Sequence, residues 1–403
     1  MINKRLLEVA KLACQRAQKK GAKEAAASVS SSRSYKIVIR DGKQEELTSS
    51  ESRRMSIRIF VDGRYGAHTT SELHPAALTR FVDDAVEMTR FLMPDEHRSL
   101  PDPALYKGRS DGDLAIFDGA AAEVTTDARK QSAMKVHDAA RAAAGAKVIS
   151  VGSGRSDRIN DAVLFQTNGF EDGERSTSHW IWADVSVKDP AGKRPSDWAQ
   201  AGSRRGADLL SAEEVGKLAA RRALACIGAK KIASCTLPLI VENRSVGRLL
   251  RGLLRPLDGW ALDQKRSCFD GKQGELVTAP LLSIVDDPLL AQGWGSRRFD
   301  GEGISAKRMP IIDKGVLKSF YIDTYYGKKL ERPPTTGDSS NLVFPAGDRD
   351  LEGLCKAAGK AILVTRFIGG NSNSTTGDFS VGINGFLIEG GERTQPLSSM
   401  NLA

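Results

Sequence analysis

Metal-dependent or acid–base chemistry would draw first on the histidines, of which there are five: His68, His74, His97, His137 and His179. None belongs to an H-E-x-x-H pair, in which two imidazoles one helical turn apart hold zinc and the glutamate acts as base. His68 and His74 flank Glu72 and could ligate a metal, but the residues around them read as a loop and a helix cap. His137 lies on a predicted helix among alanines and reads as a surface or interface residue. No histidine follows His179, so a hydrolytic zinc site built from the second half would need cysteines and carboxylates, an uncommon set. The cysteines (Cys14, Cys226, Cys235, Cys268, Cys355) are odd in number and include no C-x-x-C spacing, which excludes a zinc ribbon and argues against a disulfide framework. A G-x-x-x-x-G-K-[ST] phosphate loop and a G-x-S-x-G nucleophile elbow are both absent. Gly293-Trp-Gly295 meets Arg298 where a dinucleotide fingerprint has its third glycine.

Two other segments carry a pattern that could bind. Arg244, Arg248, Arg251 and Arg255 are spaced to put four guanidinium groups on one helical face, with Leu249, Leu250, Leu253 and Leu254 on the rest. Such a face is either a solvated surface or a contact for carboxylates; Arg244, Arg248 and Arg251 are the candidates for the acidic contact. The run from Gly369 to Gly391 sets a small-residue loop before a strand interrupted by glycines. Glycine inside a strand implies either a bulged, curved sheet or close approach of another backbone, as when a peptide adds to a strand. Gly377, Asp378, Ser380 and Gly382 are the candidates for lining or shaping a peptide groove.

The elements that must position these residues follow from periodicity. The chain has 403 residues, 40% hydrophobic and 27% charged, as in a globular protein with several cores. No run is long and apolar enough to span a membrane, and the start lacks the features of a secretory signal, so the expected location is the cytoplasm. Net charge is +9, but aromatics are only 6% and the basic residues come as scattered pairs, which argues against a nucleic-acid platform. A helix with Leu6, Ala10, Ala13 and Ala17 on one face stops at Gly21. Strands over 35–40 and 55–61 meet the hairpin signals Asp41-Gly42 and Asp62-Gly63. Pro75 opens a second helix, and a Pro/Gly-rich connection covers 93–124. The same order then recurs: a helix from Thr126 to Gly145, strands at 148–151, 163–167 and 178–187, and a helix from the capping box Ser211–Glu214 to about Ile227. This predicts an α+β region over 1–230, built from repeat units 1–92 and 126–228, with antiparallel sheets and flanking helices. Residues 231–403 read as a β-rich domain with few helices: a strand over 237–241, a helix over 243–254, strands at 307–312, 316–322, 361–367 and 379–388, and a short helix at 350–358.

Several stretches together resemble the TldD/PmbA family, whose members are described as peptidase components and as modulators of DNA gyrase. They are Phe299-Asp-Gly-Glu-Gly-Ile-Ser-Ala-Lys-Arg308, Ile312-Asp-Lys-Gly-Val-Leu317, Thr335-Thr-Gly337 and, most specifically, Thr375-Thr-Gly-Asp-Phe-Ser-Val-Gly-Ile-Asn-Gly-Phe-Leu-Ile-Glu-Gly390. In the TldD-like branch an H-E-x-x-x-H helix after a short strand, with a later cysteine, forms a zinc site. Here the motif positions fall on Glu242, Asn243 and Gly247. The resemblance is therefore to the PmbA (TldE) branch, and it implies a chain with no metal or other cofactor of its own and no catalytic residue. The implied partner is a TldD-like, zinc-bearing metallopeptidase subunit. The implied substrate is an unfolded or leader peptide held for that partner, with a homodimer as a second assembly. The alternative is a stand-alone regulatory binding protein acting on gyrase or nucleic acid. Relatives continue beyond the strand that ends here at Ala403, so the resemblance predicts a shortened last sheet.

Overall fold

The computed structural model describes residues 2–403. Its first half is one six-stranded antiparallel sheet covered on one face by four helices. The elements run α1 (Lys4–Lys19), β1 (Glu24–Arg40), β2 (Lys43–Val61), β3 (Arg64–Thr70), α2 (Pro75–Arg90), α3 (Thr126–Ala144), β4 (Val148–Gln166), β5 (Glu171–Val187), β6 (Ser196–Ser203) and α4 (Ala212–Ala225). The sheet order is β3-β2-β1-β4-β5-β6, so two units of the same order, helix–three strands–helix, meet where β1 pairs with β4. The two Asp-Gly turns adopt the positive φ that such tight hairpins need: 48° and 80° at Asp41 and Gly42, 51° and 73° at Asp62 and Gly63. Ser211 and Glu214 form the reciprocal capping box that starts α4.

Side chains alternate as a half-buried sheet requires. Ala25, Ala27 and Val29 of β1, with Met55, Ile57 and Ile59 of β2, are buried under α1 and α2; Ile181, Ala183 and Val185 of β5 are buried with α3 and α4. Each large apolar side chain so removed from water contributes about 1.5–3 kcal/mol. The strands are longer than the alternation predicted. Residues 148–151 and 163–166 belong to one 19-residue strand, β4. The stretch between them carries few apolar residues because its neighbours supply the hydrogen bonds and its inward positions hold an ion network. β6 was invisible for a related reason: its buried positions are Asp197, Ala199 and Ala201, too small and polar to announce a strand. His137, expected at a surface, is buried on α3 with its ring beside Gly42.

The ion network centres on Asp157, 2% exposed. Arg129 of α3 donates from Nε at 2.7 Å, Arg155 donates from Nε at 3.1 Å, and His179 Nδ1 lies 2.6 Å from the other oxygen. The Arg129 guanidinium also stacks over Tyr35. Burial by itself raises the Asp157 carboxyl, but His179, Arg155 and Arg129 outweigh it and hold it down at about 2. The network ties α3 to the centre of the sheet.

The second half contains β7 (Leu239–Val241), α5 (Asn243–Leu254), α6 (Gly259–Asp263), β8 (Ile284–Asp286), β9 (Met309–Asp313), β10 (Val316–Leu317), α7 (Thr324–Lys329), β11 (Leu342–Val343), α8 (Leu351–Ala358), β12 (Lys360–Ser372), β13 (Phe379–Glu389) and β14 (Glu392–Leu402). The protein is thus α+β throughout. Two four-stranded sheets form here, in orders β10-β9-β8-β11 and β14-β13-β12-β7. The strand predicted over 316–322 lasts only two residues; Phe320, Tyr321 and Ile322 instead turn inward as core, with Tyr321 donating to Asp286 at 2.8 Å. β14 extends to Leu402 as a full edge strand on β13. One set of contacts with the first half uses the sheet face opposite the helices: Trp180 stacks on Trp294, Gln166 donates to the Glu302 carbonyl at 2.6 Å, and Arg298 binds Asp172 at 3.0 Å. No helix among the described residues is long and apolar enough to cross a membrane.

Because the folded carboxyl of Asp157 sits near 2 against an ordinary 3.8, its stabilisation is present above pH 4 and is lost as pH falls toward 2. Asp157→Asn is expected to destabilise the fold by about 3 kcal/mol at pH 7, because Arg129 is left buried without its partner. Urea unfolding at pH 7 and pH 3 checks both: the penalty should shrink at the lower pH.

Candidate functional site

β7 is the parallel edge strand of the last sheet, paired through Leu239, Ile240 and Val241 with Ile362, Leu363 and Val364 of β12. The chain leaves it by a hydrogen bond from Glu242 N to the Val364 carbonyl at 2.9 Å, and α5 begins at the next residue. The strand–helix junction thus falls where the motif positions were placed, with Glu242 as N-cap, Asn243 in the first turn and Gly247 one turn on. Ser245 fastens the first turn to β12 by donating to the Thr365 carbonyl at 2.6 Å.

The Glu242 side chain does not cap the helix. Its oxygens are taken by Arg222 of α4 at 3.1 Å and by Arg244 Nε at 2.8 Å. Arg244 also grips Asp197 of β6 with both Nη atoms at 2.9 Å and reaches the Trp198 carbonyl. The four side chains form a mostly buried, alternating charge cluster, with Arg244 only 11% exposed. Burial lowers Arg222, and the adjacent Arg244 adds to that; in Arg244 the opposing pull of Asp197 and Glu242 overcomes burial and raises it. The acidic contact proposed for Arg244 is therefore met inside its own chain. Nothing in the sequence signals this, since Asp197 and Arg222 lie on distant elements that only the fold brings together.

Arg248, one turn further along α5, donates to the Gly369 and Gly370 carbonyls at 2.9 and 3.3 Å. The arginine face and the glycine-rich segment, read as separate signals, are thus one structure. Arg251 is exposed and forms no ion pair or side-chain hydrogen bond among the described residues. No α5 residue is fully buried; Leu253 and Leu254 lean on the core of the β8–β9 sheet while Val246 faces solvent.

Of the four peptide-groove candidates, Gly377, Asp378 and Ser380 lie exposed at the tip of the β12–β13 hairpin. Gly377 has φ of 87° and donates to the Asn373 carbonyl, closing the tip, while Ser374 accepts from Cys268 N at 3.0 Å and pins it. Gly382 lies within β13 itself. Both edges of β13 are hydrogen-bonded there, to β12 and β14, so no peptide can add along it. Its glycine answers to packing instead: a Cβ would lie 2.6 Å from the Ile368 carbonyl, and at Gly385 the distance to the Leu363 carbonyl would be 1.8 Å. Two register shifts between β12 and β13 mark the same bulged curvature.

The fold is a scaffold of two like α+β units followed by a β-rich domain that opens on this strand–helix junction. Family models described as PmbA/TldA metallopeptidase domain 1, central domain and C-terminal domain match residues 25–89, 120–227 and 234–403. A solved structure described as a modulator of DNA gyrase, from Bacteroides thetaiotaomicron VPI-5482, is 37% identical with a TM-score of 0.96, covering 100% of this chain and 91% of that one. Metalloprotease PmbA of Escherichia coli O157:H7 is 27% identical over 377 residues, 93% of this chain and 83% of that protein. TldE from Thermococcus kodakarensis, 20% identical with a TM-score of 0.85 over 96% of this chain and 90% of that one, shares the fold. The chain belongs to the PmbA/TldD metallopeptidase family.

The zinc that this family implies does not fit the residues present. The one carboxylate at the motif positions is already shared by two guanidinium groups, which would repel a cation. Asn243 offers an amide that cannot take a proton at neutral pH, and Gly247 has no side chain and open space in its place.

Arg244→Ala is expected to destabilise the fold by about 3 kcal/mol, since Asp197 loses its charged partner in a mostly dry site and keeps only the hydrogen bond from Trp198 N; urea unfolding measures it. Gly385→Ala should cost about 3 kcal/mol through overpacking against β12, whereas Gly377→Ala, at an open tip with positive φ, should cost about 1 kcal/mol.

Proposed function

We propose that this chain is the non-catalytic, PmbA/TldE-like subunit of a two-component metallopeptidase. It holds unstructured or leader peptides while a TldD-like partner, carrying zinc, cleaves them in the cytoplasm. The observation that carries this reading is the occupancy of the motif site by its own ion pairs: the helix that would bear a metal is kept, but its N-terminal side chains are spent on anchoring α5 to β6 and α4. The family's scaffold is therefore retained around a junction whose one carboxylate is already engaged by two arginines. In this reading Gly377, Asp378 and Ser380 at the hairpin tip contact peptide, and Arg251, of the three candidates for an acidic contact, is the one left for an acidic group on the partner or substrate. A homodimer is the competing assembly.

The name of the Bacteroides relative, a modulator of DNA gyrase, favours a second reading as a regulatory binding protein. The charge distribution speaks against a nucleic-acid partner, because Arg244 is neutralised internally and Arg248 is engaged with the glycine loop.

Reconstitution tests the proposal. Adding this chain to a TldD-like subunit should raise cleavage of an unfolded peptide well above that of the subunit alone, and Asp378→Ala with Ser380→Ala should raise KM at unchanged kcat. Equal cleavage with and without this chain removes the reading. DNA binding that weakens steeply with salt would support the second reading in its place.

A further inference from the structure

Outside the α5 region, a cavity of about 260 Å³ opens where the connection after α2 meets the β8–β9 sheet and the segment after α7. It shares no wall residue with α5 or the glycine-rich hairpin. That volume is at or below the lower end for small-molecule sites, so the occupant is limited to about one or two amino-acid residues. Leu105, Ile304, Met309 and Pro334 supply an apolar wall.

The polar part of the wall is basic. Arg297, Lys307 and Arg308 all line the cavity. Arg297 gives Nη2 to the Thr336 hydroxyl and the Asp338 carbonyl, but its Nε is buried with no acceptor. Neither Arg297 nor Lys307 has a carboxylate within 4.0 Å among the described residues, and Arg308 has only a loose contact with Asp287 at 3.8 Å. The one acid in the wall, Asp286, is 3% exposed and committed elsewhere: it accepts from the Tyr321 hydroxyl and Ser340 N, both at 2.8 Å, and from the Ser340 hydroxyl. Three cations line an apolar pocket against a single wall carboxylate whose oxygens are taken up by neutral donors, and the Arg297 Nε lacks an acceptor; this calls for an anion carried on an aliphatic body.

We propose that this cavity binds a carboxylate on a short aliphatic residue, of the kind a peptide C-terminus presents. A free amino acid fits less well, because its ammonium group would face the same three cations. The proposal rests on the peptide-binding reading only for the source of the ligand.

Calorimetric titration of the isolated chain with N-acetyl-leucine, N-acetyl-leucinamide and leucine tests it. The acid should bind about tenfold more tightly than the amide, as loss of a charge-assisted hydrogen bond implies, and more tightly than leucine. Lys307→Gln, at an exposed side chain with no ion pair, leaves the fold intact and should weaken the acid several-fold, as should raised salt. Equal binding of acid and amide, no binding at millimolar concentration, or an unchanged Lys307→Gln variant overturns the proposal. No partner or cleavage enters this measurement, so its failure leaves the reconstitution result standing, and the reverse.

Discussion

The ion pairs at the head of α5 are the constraint on which the second half of this molecule turns. A helix of twelve residues with none fully buried has little apolar burial to hold it, and short helices are marginal on propensity alone. Its position is set instead by Arg244, clamped between Asp197 and Glu242, and by Ser245 bonded to β12. These contacts join three parts of the chain: the last strand of the first sheet, the helix that closes it, and the edge strand of the final sheet. The cluster is mostly dry, so its charges have no easy substitute in water and the geometry is held tightly. The same contacts consume the carboxylate that a metal would need. Structural anchoring and metal binding compete here for one side chain, and anchoring has it.

A similar economy of position governs the glycine-rich hairpin. Gly382 and Gly385 are small because β12 crosses close to them at bulges, and that crossing curves the strand pair so that its tip lies over Cys268 and beside α5. Arg248 then has the Gly369 and Gly370 carbonyls within reach. The exposed tip, the arginine face and the strand–helix turn become neighbours through this curvature.

Much of the architecture was legible in the sequence. The Asp-Gly turns require positive φ, Pro75 and Ser211 open helices, and the recurrence of helix, strands and helix forecast the two like units of the first sheet. The α5 boundaries were read correctly because a short apolar run, a break and a strongly amphipathic stretch leave few alternatives. What escaped was local structure whose stabilisation is not local. The middle of β4 and the whole of β6 bury Asp157, Asp197 and small alanines, and such residues resemble a strand only once partners across the sheet neutralise and cover them. His137 was misplaced for the same reason, since alanine neighbours do not tell which helical face another element will cover.

The amino-acid sequence by itself determined the α+β class, the order of elements and the side chains at the metal-motif positions, because these depend on periodicity, turn stereochemistry and residue identity. Only the tertiary structure decided where Arg244 spends its charge, why Gly382 must be glycine, and that three cations share one partly apolar cavity with a single carboxylate. Charge pairing and close approach are set by distances in space between residues far apart along the chain, and linear spacing carries no measure of those distances.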